Sequence, residues 1–267
     1  MKIKDLGELT GDVLLFGGPY SNIHATEALI DEAQRMAVPA SNVICTGDVV
    51  AYGADPAATV QAIRSFGGPV VAGNCEAQLA INAADCGCGF DDGSACDLAS
   101  RGWYPYANAR ITSDMRDWMA VLPDLIVFQQ KGTQYAVIHG GVDMANKFIW
   151  PGDNISVFQQ EIAILQTKVG KISGVISGHC GLAFERLIDG VSWVNAGVIG
   201  MPAHDGRPDT RYAVLRDGQF YIERLSYDYD SAKLSMERAG LTQGYQLALE
   251  SGIWPSEDIL PAYLKRG

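Results

Sequence analysis

Residues 13–22 read VLLFGGPYSN, an uninterrupted apolar run that passes directly into a glycine-rich loop. The run predicts a short buried strand from Val13 to Phe16. Beyond the loop, apolar residues recur at helical spacing, at Ala25, Ala28, Leu29, Ala33 and Met36. This spacing predicts an amphipathic helix that Ser21 or Asn22 would cap. A strand, a loop and a helix in this order form the first part of a βαβ unit.

The same order continues through the first third of the chain. A second strand is predicted at Val43 to Thr46, a helix from Pro56 through Ser65, and a third strand from Pro69 to Ala72. Open α/β sheets bind ligands at the edge where the loops that follow their strands meet. We therefore expect the functional residues in those loops.

The second half of the chain has a different pattern. Pairs of short apolar segments flank Lys131-Gly132, Asp189-Gly190 and Asp217-Gly218, which predicts three antiparallel hairpins. Parallel units followed by hairpins favour two packed mixed sheets with helices outside. From about Ser231 the pattern is helical and predicts a C-terminal helical extension. No linker or low-complexity tract divides the chain, so we expect a single domain over residues 1–267.

Composition restricts the partners. With a formal net charge of -11, the chain is a poor candidate for binding nucleic-acid backbones. No apolar stretch approaches the length of a membrane span, and the run before Gly17 is too short for a signal-peptide core. These features predict a cytoplasmic protein without a membrane partner. In that compartment the cysteines should be mostly reduced, with Cys45 buried in its strand as a free thiol. Nothing in the sequence indicates an oligomeric state.

Each predicted strand leads into a short motif: GGPYSN from Gly17, GDVVAYGADP from Gly47, GNCE from Gly73, HGG from His139 and GHCG from Gly178. This series resembles the calcineurin-like metallophosphoesterases, in particular their diadenosine tetraphosphatase and phosphodiesterase-like branch. The resemblance covers nearly the whole chain, and the GDVVAYGADP stretch is its strongest individual match. It implies a four-layered α/β/β/α sandwich, a metal-dependent active site and a small phosphorylated substrate.

The resemblance also implies which residues hold metal. Four residues match the ligands of the second metal site of the family: Asp48, Asn74, His139 and His179. In the family the residue matching Asp48 bridges two metals and takes part in catalysis. Two imidazoles with a carboxylate and an amide oxygen suit one divalent Mn, Fe, Co or Zn ion, and are too rich in nitrogen for calcium. A single histidine after a strand is more often structural, but the joint presence of all four favours a metal site.

The first metal site of the family is largely missing. Where the family has DxH, one alignment places Gly18 at the Asp and Tyr20 at the His. A shifted register would instead align the segment 22–24, Asn-Ile-His, with DxH. We prefer the first register because the helix then begins at the same point, which leaves His24 solvent-facing or capping. Gly181 replaces the last His of GHxH in either register.

Several cysteines, together with a tyrosine, an asparagine and a histidine, are further candidates for the pocket. Cys75 takes the position of the His in the GNH motif, which resembles a general acid or an electrostatic stabiliser of the phosphoryl group. A thiol is a poor substitute for imidazole, although a thiolate near a metal could act as a ligand or nucleophile. Cys180 is a further possible pocket residue, together with Tyr20 and Asn22. His204 could also face the pocket, although its polar loop favours solvent exposure. Cys86, Cys88 and Cys96 fit no common zinc site, so we expect their loop to be dispensable for the pocket.

Three functions remain open. The first is a metallophosphoesterase-like hydrolase with one divalent ion and weak or altered activity on a phosphate ester. The second is a non-catalytic protein that senses a ligand or metal through the same pocket. The third is a thiol-based sensor built on Cys75 and Cys180. The four retained ligands favour the first slightly, whereas the loss of DxH and GNH favours the second.

Overall fold

Two mixed β-sheets lie face to face in the computed structural model, which describes residues 1–89 and 93–266, with the side chains of 95–97 excepted. The larger sheet has the order β1-β4-β5-β6-β8-β7. Its strands are β1 (Ile3–Glu8), β4 (Leu125–Gln130), β5 (Thr133–Val137), β6 (Gly174–Ser177), β7 (Phe184–Ile188) and β8 (Val191–Asn195). The smaller sheet has the order β10-β9-β2-β3. Its strands are β2 (Val13–Phe16), β3 (Val43–Cys45), β9 (Thr210–Arg216) and β10 (Gln219–Leu225).

Helices cover the outer face of each sheet. They are α1 (Ile23–Arg35), α2 (Pro56–Phe66), α3 (Asn74–Ala80), α4 (Ala95–Asn108), α5 (Ser113–Val121), α6 (Ile155–Val169), α7 (Tyr229–Arg238) and α8 (Tyr245–Ser251). Helix α6 packs Phe158 and Leu165 against the larger sheet. Leu29 of α1 and Val60 of α2 belong to the apolar cluster on the smaller sheet. No helix in the described part of the chain is both long and apolar enough to cross a membrane.

A third apolar cluster lies between the sheets. Leu15 and Ile44 of the smaller sheet pack there with Phe128 and Ile176 of the larger one, and all four are fully buried. The two faces of each sheet are therefore apolar, which explains the continuous apolar runs of β2 and β3. With helices on both outer faces, the four-layered α/β/β/α sandwich is confirmed.

The structure confirms most of the predicted elements near the site. Strand β2 pairs in parallel with β3, with Leu15 opposite Ile44. The three hairpins, β4-β5, β7-β8 and β9-β10, are antiparallel as predicted. The cap of α1 is Asn22, whose Oδ1 accepts the N–H of Ala25 at 3.1 Å.

One predicted strand is absent from the described residues, and one strand was missed. The segment from Pro69 to Ala72 forms only an isolated bridge, with Val70 opposite Cys45. The segment then leaves the sheet, because the N–H of Ala72 donates to the carbonyl of Pro123. Strand β1 was not predicted. It pairs in parallel with β4 at the sheet edge and is largely exposed, so its sequence lacks a continuous apolar run.

Candidate metal centre and pocket

Three buried side chains converge in the loops that follow β3, β5 and β6. Oδ2 of Asp48 lies 3.2 Å from Nε2 of His139 and 3.9 Å from Nδ1 of His179. The two imidazole nitrogens are themselves 3.2 Å apart. The ligand atoms of the three residues thus lie within 4.8 Å of one another.

Asn74, the first residue of α3, adds a fourth oxygen. Its Oδ1 lies 3.1 Å from Nε2 of His139. Its Nδ2 donates to the carbonyl of Cys86 at 3.0 Å, which fixes the orientation of the amide. We call Asp48, Asn74, His139 and His179 the four-ligand cluster.

The hydrogen bonding of His139 shows that the four-ligand cluster fits a cation. Nδ1 of His139 lies 2.6 Å from the backbone carbonyl of Thr46, which can only accept, so in the neutral ring Nδ1 carries the proton. Nε2 then presents a lone pair toward the oxygens of Asp48 and Asn74. Converging lone pairs repel, and a positive charge at their centre, either a metal ion or a proton on Nε2, removes that repulsion. Two imidazoles, a carboxylate and an amide oxygen fit a divalent transition metal.

Burial and mutual charge set the protonation of this centre. Burial raises the pKa of Asp48, but the charge and hydrogen bond of His139 outweigh it and leave that pKa below its ordinary value. Burial lowers the pKa of His139, but Asp48 opposes this effect and leaves the pKa raised. For His179 burial dominates and lowers the pKa to about 3, so this ring is neutral and able to ligate.

A buried carboxylate that the sequence analysis missed joins the second and third loops. Glu76 accepts the backbone N–H of Asp48 at 2.8 Å and that of Gly73 at 2.9 Å. A third N–H, from Val50, lies at 3.3 Å. Burial, together with the charge of Asp48, raises the pKa of Glu76 to about 7. The available signal was its place as the last letter of GNCE, in the first turn of α3.

Gly47, in the GD motif, is required by two features of the backbone. Its φ is +102°, a backbone conformation that residues other than glycine rarely adopt. A β-carbon at this position would also lie 2.8 Å from Nδ1 of His139. The ring of His139 can therefore approach the loop only because residue 47 is glycine.

Asn195, at the end of β8, holds the loop that carries His179. Its Nδ2 donates to the carbonyl of Gly178 at 2.6 Å, and its Oδ1 accepts the N–H of Gly197 at 2.9 Å. Asn195 thus positions His179 through the backbone. Asn195 was not among the predicted site residues.

Aromatic rings lie where the resemblance would place the missing ligands of the first metal. A β-carbon on Gly18 would stand 2.6 Å from Cζ of Tyr20 and 2.6 Å from Cγ1 of Val198. A β-carbon on Gly181 would stand 3.2 Å from Cζ2 of Trp254. Neither position has room for a longer side chain while these rings keep their places.

A pocket of about 650 Å³, part of it continuous with solvent, lies over the centre. Asp48 and His179 line it, as do the predicted pocket residues Tyr20, Cys75 and Cys180. Its walls are largely aromatic and apolar: Tyr52, Phe148, Tyr245, Trp254, Val198, Met201, Pro255 and Ile259. No lysine or arginine lines it among the residues that the structure describes.

Two expected pocket residues lie elsewhere. Asn22 caps α1, and its Nδ2 donates to the carbonyl of Gly200, so its side chain is directed away from the pocket. His204 is neither exposed nor in the pocket wall. Its Nε2 lies 2.8 Å from Oε1 of Glu257, and its Nδ1 accepts the N–H of Trp254 at 2.9 Å. His204 therefore anchors the segment that brings Trp254 over the pocket.

The positions of Tyr20, Asn22 and His24 bear on the two alignments of the first loop with DxH. Tyr20 lines the pocket beside Asp48, whereas Asn22 does not, and His24 lies in the first turn of α1. This placement agrees with the register that aligns Gly18 and Tyr20 with DxH.

The cysteines differ in part from expectation. Cys45, Cys75 and Cys180 are free and buried. Cys86 and Cys88 are paired in a disulfide, with their Cα atoms 5.3 Å apart, and so depart from the expectation of mostly reduced cysteines. The side chain of Cys96 lies outside the described part of the chain.

The loop with this disulfide is not independent of the pocket. Cys88 lines the pocket, and its Sγ lies 3.4 Å from Nδ2 of Asn74. Burial raises the pKa of Cys75 well above the ordinary thiol value and that of Cys180 to about 12. Both side chains are therefore protonated thiols near neutral pH.

Comparisons with known proteins agree with this architecture. A family model described as the calcineurin-like phosphoesterase superfamily domain matches residues 18–217. A hypothetical protein from Pyrococcus horikoshii OT3 has a similar structure, with a TM-score of 0.73 at 14% sequence identity, covering 91% of this chain and 99% of the other. A metallophosphoesterase from Sphaerobacter thermophilus gives a TM-score of 0.70 at 18% identity, covering 92% and 100%.

A third solved structure, a putative diadenosine tetraphosphatase, gives a TM-score of 0.52 at 15% identity, covering 84% of this chain and 98% of the other. At such identities the likeness establishes the fold alone. No curated protein matches the chain significantly.

Proposed function

Because the chain belongs to the calcineurin-like phosphoesterase superfamily, we propose that it binds one divalent transition metal ion in the four-ligand cluster and hydrolyses a phosphate ester with weak or altered activity. The observation that carries this proposal is the convergence of three lone-pair atoms, one each from Asp48, Asn74 and His179, on Nε2 of His139. The other ring nitrogen of His139 is bonded to the carbonyl of Thr46. Such a donor set is costly to bury without a cation.

The bound ion would act as a Lewis acid toward a phosphoryl oxygen and supply hydroxide at neutral pH. The protein contributes position and environment. Thr46 fixes the tautomer of His139, Glu76 holds the loop of Asp48, and Asn195 holds the loop of His179. The apolar walls of the pocket would exclude water from an ester held next to Asp48.

Two features support reduced rather than full activity. Tyr20 and Trp254 cover the positions of the first metal site, so a second ion has no protein ligands from Gly18 or Gly181. Cys75 stands where the resemblance places the acid for the leaving group. Its buried thiol releases a proton far less readily than imidazole, and the loss of a positioned acid costs about a hundredfold to ten-thousandfold in rate.

The same features support one alternative, a non-catalytic protein that senses a ligand or metal through this pocket. In that case the aromatic rings would serve recognition alone. The thiol-based hypothesis has less support, because Cys75 and Cys180 are almost fully buried and their pKa values are raised.

Metal analysis combined with hydrolysis tests the proposal. The protein is stripped of metal, reconstituted with Mn, Fe, Co or Zn, and assayed for metal content and for turnover of an aryl phosphodiester. We expect about one ion per chain and slow turnover that requires the ion. His139→Ala should lose both, whereas the matched control His24→Ala, outside the four-ligand cluster, should keep both. Two tightly held ions, or none, would refute one-metal binding, and a bound ion without turnover would favour the sensor.

A further inference from the structure

The pocket over the four-ligand cluster has an unusual combination of features for a protein that handles phosphate. Among its lining residues, Asp48 supplies a carboxylate and His179, a proposed metal ligand, supplies an imidazole. Cationic side chains usually clamp phosphate groups that carry two or more charges, because bidentate and charge-assisted hydrogen bonds offset their desolvation. Among the described lining residues no lysine or arginine is present, so the bound ion would supply the positive charge that meets the substrate.

A charge balance limits what this arrangement can neutralise. The carboxylate of Asp48 cancels about one of the two charges of a divalent ion. The surplus therefore matches an anion with a single charge. A phosphomonoester carries about 1.5 to 2 negative charges at neutral pH, and a dinucleoside polyphosphate carries more.

The walls of the pocket are complementary to aromatic groups. Tyr52 stacks on Tyr245 with ring centroids 4.2 Å apart, and Tyr20 meets Tyr52 edge-on at 4.8 Å. On the His179 side, the ring of Phe148 lies 4.3 Å from the imidazole. Such a surface binds aromatic and apolar groups and gains little from a hydrated, highly charged one.

The aromatic wall is also held in place. The indole N–H of Trp254 donates to the carbonyl of Pro202 at 2.7 Å, and the backbone N–H of Trp254 donates to His204 at 2.9 Å. His204 in turn contacts Glu257. Preorganised rings lose little entropy on binding a ligand, which favours their use in recognition.

We propose that the pocket selects singly charged phosphodiesters with an aromatic or apolar ester group, and discriminates against phosphomonoesters and polyphosphates. This inference rests on the proposed function, because it assumes the metal ion in the four-ligand cluster. It makes the aromatic wall, rather than a cationic clamp, the main determinant of specificity.

Calorimetric titration of the metal-loaded protein provides the test. The probes are diphenyl phosphate, phenyl phosphate and inorganic phosphate, and binding is measured without turnover. We expect diphenyl phosphate to bind at least about tenfold more tightly than phenyl phosphate, and inorganic phosphate to bind most weakly. Tighter binding of phenyl phosphate or inorganic phosphate would overturn the inference, as would failure of diphenyl phosphate to bind.

Two variants connect the result to the pocket. Ser256 lines the pocket near Trp254. Ser256→Lys adds a cation there and should shift the preference toward phenyl phosphate by about tenfold. The matched control Thr242→Lys adds the same charge at an exposed position outside the pocket and should leave the preference unchanged. Trp254→Ala should weaken diphenyl phosphate binding by about twofold to tenfold while sparing inorganic phosphate. Equal effects of the two lysines would contradict the proposal.

Hydrolysis of the corresponding nitrophenyl esters separates this inference from the proposed function. If diphenyl phosphate binds preferentially but no ester is hydrolysed, catalysis is absent while the selectivity stands. If a nitrophenyl phosphomonoester is hydrolysed faster than the diester, the protein is a hydrolase and the selectivity is wrong.

Discussion

The carboxylate of Glu76 accepts the backbone N–H of Asp48 at 2.8 Å, and both residues are buried. One side chain thereby fixes the loop that carries a proposed metal ligand to the helix that carries another, Asn74. The geometry of the four-ligand cluster depends on this contact as well as on the ligands themselves.

Removing Glu76 should therefore destabilise the protein and weaken metal binding. Glu76→Ala leaves the N–H groups of Asp48 and Gly73 buried without an acceptor, at about 1–3 kcal/mol each. We expect the free energy of unfolding, measured in denaturant, to fall by about 2–5 kcal/mol. The control Glu27→Ala removes an exposed carboxylate of α1 and should change it by less than about 0.5 kcal/mol. An unchanged midpoint for Glu76→Ala would show that the loops are held by other contacts.

The free thiols should resist alkylation in the folded protein. Burial raises the pKa of Cys180 to about 12, so at pH 8 only about one thiol in ten thousand would be ionised. Mass spectrometry after brief treatment with iodoacetamide should show Cys45, Cys75 and Cys180 unmodified when folded and modified in urea. Rapid labelling of Cys75 or Cys180 in the native state would revive the thiol-sensor hypothesis.

Restoring the first metal site should require smaller residues in place of Trp254 and Val198. The motif residues of the family would be restored by Gly18→Asp, Tyr20→His, Cys75→His and Gly181→His. Because Cζ2 of Trp254 stands 3.2 Å from the β-carbon position of Gly181, this fourfold variant should still bind one ion per chain. Cγ1 of Val198 also stands 2.6 Å from the β-carbon position of Gly18, so Val198→Ala is needed as well. Adding Trp254→Ala and Val198→Ala together should allow a second ion and accelerate hydrolysis of an aryl phosphodiester. Elemental analysis measures the number of metal ions per chain in each variant. Two ions in the fourfold variant would mean that Trp254 and Val198 move aside readily.

The contact between His204 and Glu257 should make the C-terminal segment sensitive to acid. The hydrogen bond from His204 lowers the pKa of Glu257. A depressed pKa means that the contact stabilises the folded segment above the ordinary glutamate pKa of about 4.3 and loses this contribution as the pH falls through the lower folded value. Tryptophan fluorescence should report the release of Trp254 below about pH 4.

Glu257→Gln provides the control for this transition. The variant cannot titrate at that position, so the fluorescence change below about pH 4 should be absent or reduced. A transition identical in the natural protein and in Glu257→Gln would assign the acid response to another group.

The sequence was sufficient for elements whose signal is local. Continuous apolar runs predicted β2 and β3, and the Lys-Gly and Asp-Gly turns predicted the three hairpins. Strand β1 gave no such signal because it lies at an exposed sheet edge. The segment from Pro69 to Ala72 has a strand-like composition, but its backbone bonds to Pro123 instead of continuing the ladder.

The candidate site could likewise be predicted only in part. Each proposed metal ligand follows a short apolar run, within a motif that resembles one of the family, so the sequence alone could bring the four together. The aromatic wall could not be predicted, because Tyr52 is distant along the chain from Tyr245 and Trp254 and meets them only through packing. The burial of His204 was missed for a related reason. Its own loop is polar, and its partners lie about fifty positions later.

The pairing of β2 with β9 determines when this fold can form. Leu14 lies opposite Val214, about two hundred positions later in the chain. Contacts of such long sequence separation slow folding, because loop-closure entropy is lost before the contacts form. During synthesis, β2 must therefore wait for most of the chain to leave the ribosome. Until β9 arrives, the apolar edge of β2 is open to pairing with other chains, and fragments that end before β9 will be prone to aggregate.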